Sequence, residues 1–206
     1  MSDGLRVALT FDAEHPDRPL CPGGNVDRVL DALHAAAARA TFFVQARWAT
    51  AHPEAAARIA REGHLVGHHS KFHARMTLLS DDGLRADVRE GEEEIRATTG
   101  ADPRPWFRCP FGDGHDDERV LSTLGGLGYR NVFWHVVLED WEPWRSPDDL
   151  RADAVAGAIA HGDGAVVLLH TWPAPTAEAL AGMLEDLAAA GARFVGVDEL
   201  EPELLP

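Results

Sequence analysis

The sequence predicts an α/β fold in which parallel strands are covered by helices. Short runs of branched and apolar residues alternate with segments of helical periodicity along the whole chain. One run, Ala165 to Leu169, is apolar at every position, the mark of a strand buried on both faces. Acids, imidazoles and a guanidinium recur just after the strand-like runs, where α/β barrels collect their chemistry. Repeated β-then-α units of this kind imply either a barrel or a wound sheet.

Leu5 to Phe11 reads as the first strand, followed by a Pro/Gly-rich loop from Pro16 to Gly24 in which Asp17 is turn chemistry. Asn25 is a candidate cap for a helix reaching Arg39, with Val26, Val29, Leu30 and Leu33 at helical spacing. Ala40 to Val44 is a second strand, Pro53 to Glu62 a helix stopped by Gly63, and Leu65–Val66 a brief third strand. Ser80 opens a long helix to Thr99, and Asp81 and Asp82 suit its positive end. Trp106 to Arg108 is a strand, Asp116 to Leu124 a helix, and Tyr129 to Leu138 a β-rich stretch. Ser146 followed by Pro147 starts another helix. A strand at 165–169, a helix from Thr176 to Ala190 and a strand from Arg193 to Val197 complete the chain.

With 206 residues, no internal repeat and no linker, the expectation is one domain over residues 1–206. The 19 Lys and Arg against 34 Asp and Glu give 19 − 34 = −15, which argues against nucleic acid and against an anionic membrane surface. The longest apolar stretches, such as Gly164 to Leu169, are far short of the ~20 residues of a membrane span. Cys21 and Cys109 do not make a disulfide framework, and whether they pair is open. The N-terminal Met-Ser-Asp-Gly-Leu-Arg lacks a charged region followed by a long apolar one. The chain as written is therefore expected to be cytoplasmic, and secreted if a signal peptide has been trimmed.

His69-Ser70-Lys71-Phe72-His73 is the sharpest local signal, because a four-residue spacing on a helical turn lets two imidazoles converge on one metal ion. It has no internal Glu, so any base comes from elsewhere; the bland alternative is a surface helix start. His68, adjacent to the first imidazole, is expected to point away and be structural. Asp12 and Glu14 fall on one side of an extended chain, so that one can bind metal while the other acts as base. Arg108, Asp140 and His170 each follow a strand-like run. Trp106 and Trp134 are expected in the core, and Trp141, Trp144 and Trp172 beside the candidate residues. His115 and Gly112–Gly114 are expected to form a flexible rim.

Taken in order, Leu9-Thr10-Phe11-Asp12, Gly67-His68-His69-Ser70-Lys71-Phe72-His73, Phe107-Arg108-Cys109-Pro110-Phe111-Gly112, Trp134 through Asp140-Trp141, and Leu168-Leu169-His170 resemble the five motifs of the polysaccharide deacetylases, the NodB-homology enzymes of carbohydrate esterase family 4. The resemblance implies a distorted (β/α) barrel and metal-dependent removal of an N-acetyl group from an amino sugar or polysaccharide. It implies His69 and His73 as metal ligands, Asp12 as general base held by Arg108, and His170 as general acid oriented by Asp140. Phe111 would offer a backbone N–H to the oxyanion, while Trp141 and Leu168 would line the acetyl pocket. The family's first motif is Thr-Phe-Asp-Asp, and its second Asp, a metal ligand, is here Ala13. Glu14 is the nearest substitute as ligand; the reverse assignment, with Asp12 on the metal, stays open. Cys109 and Phe111 replace a common Pro and Tyr. One divalent ion is expected, Zn first, with Co, Ni or Mn also suited. The alternatives are a hydrolase of a non-sugar amide or cyclic imide, and an inactive carbohydrate-binding relative motivated by Ala13.

Overall fold

β1 (Arg6–Ala13) is buried over almost its whole length and runs two residues past the expected strand, so that Asp12 is still strand. After it come α1 (Asn25–Ala35), β2 (Thr41–Val44), α2 (Ala46–Ala51), α3 (Pro53–Arg61), β3 (Leu65–His68), α4 (Asp81–Thr99), β4 (Trp106–Phe107) and α5 (Glu118–Gly126). The chain ends with β5 (Arg130–Asn131), β6 (Val136–Val137), α6 (Pro147–His161), β7 (Ala165–His170), α7 (Ala174–Ala189) and β8 (Arg193–Phe194). The structure, a computed structural model, describes residues 4–16, 21 and 23–206. The N-terminal Met-Ser-Asp and Asp17, expected as turn chemistry, lie outside the described residues. No helix among those residues is long and apolar enough to cross a membrane.

Two compact units can be distinguished. The first comprises Met1–Phe11, Pro16–Thr41 and Trp134–Pro206. Its strands run in the order β6-β7-β1, with β8 also on β1, and the β6–β7 and β1–β8 pairings are parallel. Val7, Leu9 and all of β7 are buried with Val29, Leu30 and Leu33 of α1 and Leu180, Met183, Leu184 and Leu187 of α7. The second unit comprises Asp12–His15 and Phe42–Phe133. Its strands run β2-β3-β4-β5, and β3–β4 and β4–β5 are parallel. Met76, Leu84, Val88, Phe107, Cys109, Val120, Leu124 and Tyr129 form its core.

Several boundaries differ from the sequence reading for identifiable reasons. α1 stops at Ala35 rather than Arg39, in a Schellman closure: Ala38 N–H bonds Leu33 O, Ala37 N–H bonds His34 O, and Ala37 is left-handed at φ 48°. An alanine takes the place usually given to glycine, which hides the stop. Asn25 does not cap α1; Gly24 does, while the Asn25 amide donates to Trp172 O at 2.7 Å. α2 has no counterpart in the sequence reading. The β-rich stretch at 129–138 divides into the two short strands β5 and β6. The Gly112–Gly114 rim is tied down, since Asp113 accepts both the amide and the hydroxyl of Thr77. Trp106 and Trp134 are half-buried. Cys21 and Cys109 are both thiols.

Gly67 in β3 is required by a close approach: a Cβ there would lie 2.7 Å from the Phe43 ring and 3.3 Å from Trp106 Cβ. His68 closes the strand with no exposed surface, its ring against Phe107 and Tyr129. Its Nε2 lies 2.9 Å from Val88 O and its Nδ1 accepts Ser70 N–H at 2.9 Å, so the ring is the neutral Nε2–H tautomer. Burial lowers its pKa from 6.5 to about 3.

Gly67→Ala is expected to destabilise the protein by about 1–3 kcal/mol through displacement of Phe43, measurable as a shift of the urea midpoint at unchanged m. For His68 the unfolded state binds the extra proton first. Stability is therefore full above pH 6.5 and falls as pH drops from 6.5 towards 3, by up to about 1.4 kcal/mol per pH unit from this one group. Urea titrations at pH 7, 6, 5 and 4 should show a shallower acid loss in His68→Gln than in the wild type; equal slopes would contradict the buried neutral ring.

Candidate active site

The end of β1 delivers two carboxylates, Asp12 and Glu14, which are 4% and 2% exposed. Regular pairing stops at Ala13, whose carbonyl accepts Gln45 N–H at 2.9 Å. The Gln45 side chain then accepts His15 N–H at 3.1 Å, so one residue holds the backbone on both sides of Glu14. Asp12 Oδ1 accepts from Arg108 Nη1 at 3.0 Å. The Arg108 guanidinium is 1% exposed, lies 4.1 Å from the Phe43 ring centroid, and donates to Val132 O and Phe133 O at 3.1 and 2.9 Å. Burial lowers its pKa, opposed by the Asp12 charge.

His69 and His73 do not sit on a helical turn as the spacing suggested. His69 continues β3 by donating its N–H to Val44 O at 2.9 Å, and the chain then turns through Ser70 and His73, left-handed at φ 60° and 58°. Neither is glycine, and such residues cost of order 1–3 kcal/mol each unless their surroundings impose the conformation. The rings nevertheless converge, with centroids 5.0 Å apart.

His69 Nδ1 is 2.9 Å from Arg108 O, which makes it the N–H and leaves Nε2 as the electron-pair donor. That Nε2 is 3.2 Å from Glu14 Oε2 and 3.5 Å from Asp12 Oδ2. His73 Nε2 also contacts Glu14 Oε2. Burial would lower the His69 pKa, but the Asp12 and Glu14 carboxylates outweigh it, and the pKa stands above its ordinary value. Glu14, His69 and His73 bring their ligand atoms within 4.8 Å of one another. Two imidazole nitrogens and a carboxylate oxygen suit a divalent ion with an open coordination position. Phe111, 49% exposed and left-handed at φ 58°, packs its ring against His73, centroids 4.4 Å apart and planes tilted by 55°.

In the first unit, β7 ends in His170. Its Nδ1 is 2.7 Å from Asp140 Oδ1, and its own N–H donates to Asp140 Oδ2 at 2.8 Å. Thr176 on α7 adds a hydroxyl to Oδ2 at 2.6 Å. The Asp140 carboxylate thus accepts three bonds, which fixes the His170 ring and its tautomer. Trp141 meets that ring edge-on at 5.3 Å and Trp172 lies 5.7 Å away. Leu168 is a buried residue of β7, whereas Trp144 is largely exposed. Gln45, Asp87 (which binds the His69–His73 loop from α4) and Thr176 were not singled out from the sequence. Each acts on backbone or on a side chain remote in sequence, so no local pattern announces it.

The polysaccharide deacetylase family model matches residues 2–132. The peptidoglycan-N-acetylmuramic acid deacetylase PdaA of Bacillus subtilis is 32% identical over 94% of this chain and 70% of its own length. Among solved structures, the family 4 carbohydrate esterase of Streptomyces lividans in complex with acetate superposes with a TM-score of 0.80 at 29% identity, covering 93% of this chain and 92% of that one. A family 4 pseudoenzyme from Bacillus anthracis, BA3943, gives 0.84 at 27% identity over 96% and 66%. The NodB-type α/β fold implied by the motifs is the fold of this chain, and the chain belongs to the polysaccharide deacetylase family.

Proposed function

We propose that the chain is a metal-dependent deacetylase of N-acetylated amino sugars, singly or in a polysaccharide. One observation carries the reading: Glu14 meets both His69 and His73 although Ala13 stands where the family has its ligand Asp. The donor set is thereby complete without residue 13. The sugar substrate rests on family membership and on relatives named as peptidoglycan deacetylases, among them PdaA.

In this reading Glu14, His69 and His73 hold one divalent ion, Zn first with Co, Ni or Mn as alternatives. Bound there, such an ion lowers the pKa of a coordinated water towards ~7 and polarises the amide carbonyl. Asp12, oriented by Arg108, takes the proton released as water attacks the acetyl carbon. The Phe111 backbone N–H stabilises the developing oxyanion, and Trp141 and Leu168 accommodate the methyl group. His170, held by Asp140 and Thr176, gives its proton to the departing amine. The inactive reading is favoured by Ala13 and by the resemblance to a pseudoenzyme.

Acetate release from N-acetylglucosamine oligomers and from peptidoglycan, with Zn²⁺ or Co²⁺ added, separates these readings. Turnover on either supports the deacetylase; metal binding without acetate from any acetylated sugar overturns it. Glu14→Ala is expected to weaken metal binding by about 100-fold or more. Asp12→Asn should keep metal within a few-fold and lower kcat by about 10²–10⁴. The reverse outcome would make Asp12 the ligand and Glu14 the base.

A further inference from the structure

We infer that Asp87, on α4 and remote from the chemistry, is the positioning residue that sets the geometry of the His69–His73 loop. The inference rests on the metal reading above for its consequence, but its geometry stands alone. All five amides from 69 to 73 have acceptors. His69 N–H goes to Val44 O, Ser70 N–H to the His68 ring, and His73 N–H to Ser70 Oγ at 2.8 Å. The remaining two both go to Asp87: Lys71 N–H to Oδ1 at 2.9 Å and Phe72 N–H to Oδ2 at 3.2 Å.

On its other side the loop is gripped by α2, where Ala46 and Arg47 donate their amides to Ser70 O and Lys71 O at 3.0 and 3.4 Å. The same stretch of α4 supplies Val88 O to His68, while Lys71 Nζ reaches Glu90 and Glu94 at 2.9 Å each. Gly91 allows this approach, for a Cβ there would lie 2.7 Å from the His68 ring and 3.3 Å from Lys71 N. Asp87 is itself 5% exposed. A carboxylate is the side chain that presents two acceptors to two consecutive amides. Without them the left-handed Ser70 and His73 lose the restraint on the two residues between them, and His73 would leave its place opposite Glu14.

The test is metal binding by the metal-stripped protein, followed through the visible absorption of Co²⁺ and by competition with a chromophoric Zn²⁺ chelator. Asp87→Asn turns one acceptor into a donor facing an N–H, at nearly unchanged shape. It should weaken metal binding about 10–100-fold, the range expected for groups that orient ligands, and alter the Co²⁺ spectrum. Ile95→Val, in the buried face of the same helix two turns on, controls for lost stability and should leave metal affinity within twofold. Wild-type affinity in Asp87→Asn would overturn the proposal. Hydrogen exchange of the wild-type protein covers the case in which the variant does not fold: the Lys71 and Phe72 amides should be protected to the level of the α4 core, and rapid exchange there would overturn the clamp. If the wild type binds no metal, the functional reading fails, whereas the clamp is still decided by that exchange measurement.

Discussion

Arg108 is the residue on which the second unit's chemistry depends. Its N–H donates to His68 O at 2.9 Å and its carbonyl accepts from the His69 ring, which commits Nε2 to face the carboxylates. Its guanidinium holds Asp12 and uses two carbonyls of the 132–133 segment as further acceptors. A buried guanidinium is tolerated only when charge and hydrogen bonds are both satisfied. Meeting that demand orders the end of β1, the end of β3 and the segment after β5 in a single network.

The charge sum of this network has a direct chemical consequence. Asp12 and Glu14 contribute two negative charges and Arg108 one positive, leaving −1 with neutral imidazoles. Burial makes such an imbalance costly, and the two carboxylates accordingly hold the His69 pKa above its ordinary value against the burial of the ring. Ala13 lies within the buried strand, whereas Glu14 is the first residue beyond it, with a longer side chain reaching both rings. The loss of an acid at position 13 therefore does not entail the loss of the donor set.

Much of this was legible in the sequence wherever a local rule governs. Ser80 and Ser146 do cap α4 and α6 through their hydroxyls, and the apolar run at 165–169 is a buried strand. Strand-end reading picked out Asp12, Glu14, Arg108, Asp140 and His170 because chemistry in α/β folds collects there. What escaped is what depends on tertiary partners. The His69–His73 spacing suggested a helix, yet a left-handed turn held by α2 and α4 brings the same rings together. The stop of α1 was hidden because alanine took a left-handed position. Gln45, Asp87 and Thr176 are ordinary polar residues until the fold places backbone amides or a carboxylate opposite them.

Three non-glycine residues around the donor set, Ser70, His73 and Phe111, are left-handed. Conformations of that cost persist where the surroundings over-determine them, and here each amide of the ligand loop is accounted for. The loop is bonded to strand, helix and its own side chains, and its two rings face Glu14. Restraint at Ala13, His15, Lys71 and Phe72, on the backbone either side of the three side chains, is what fixes Glu14, His69 and His73 opposite one another.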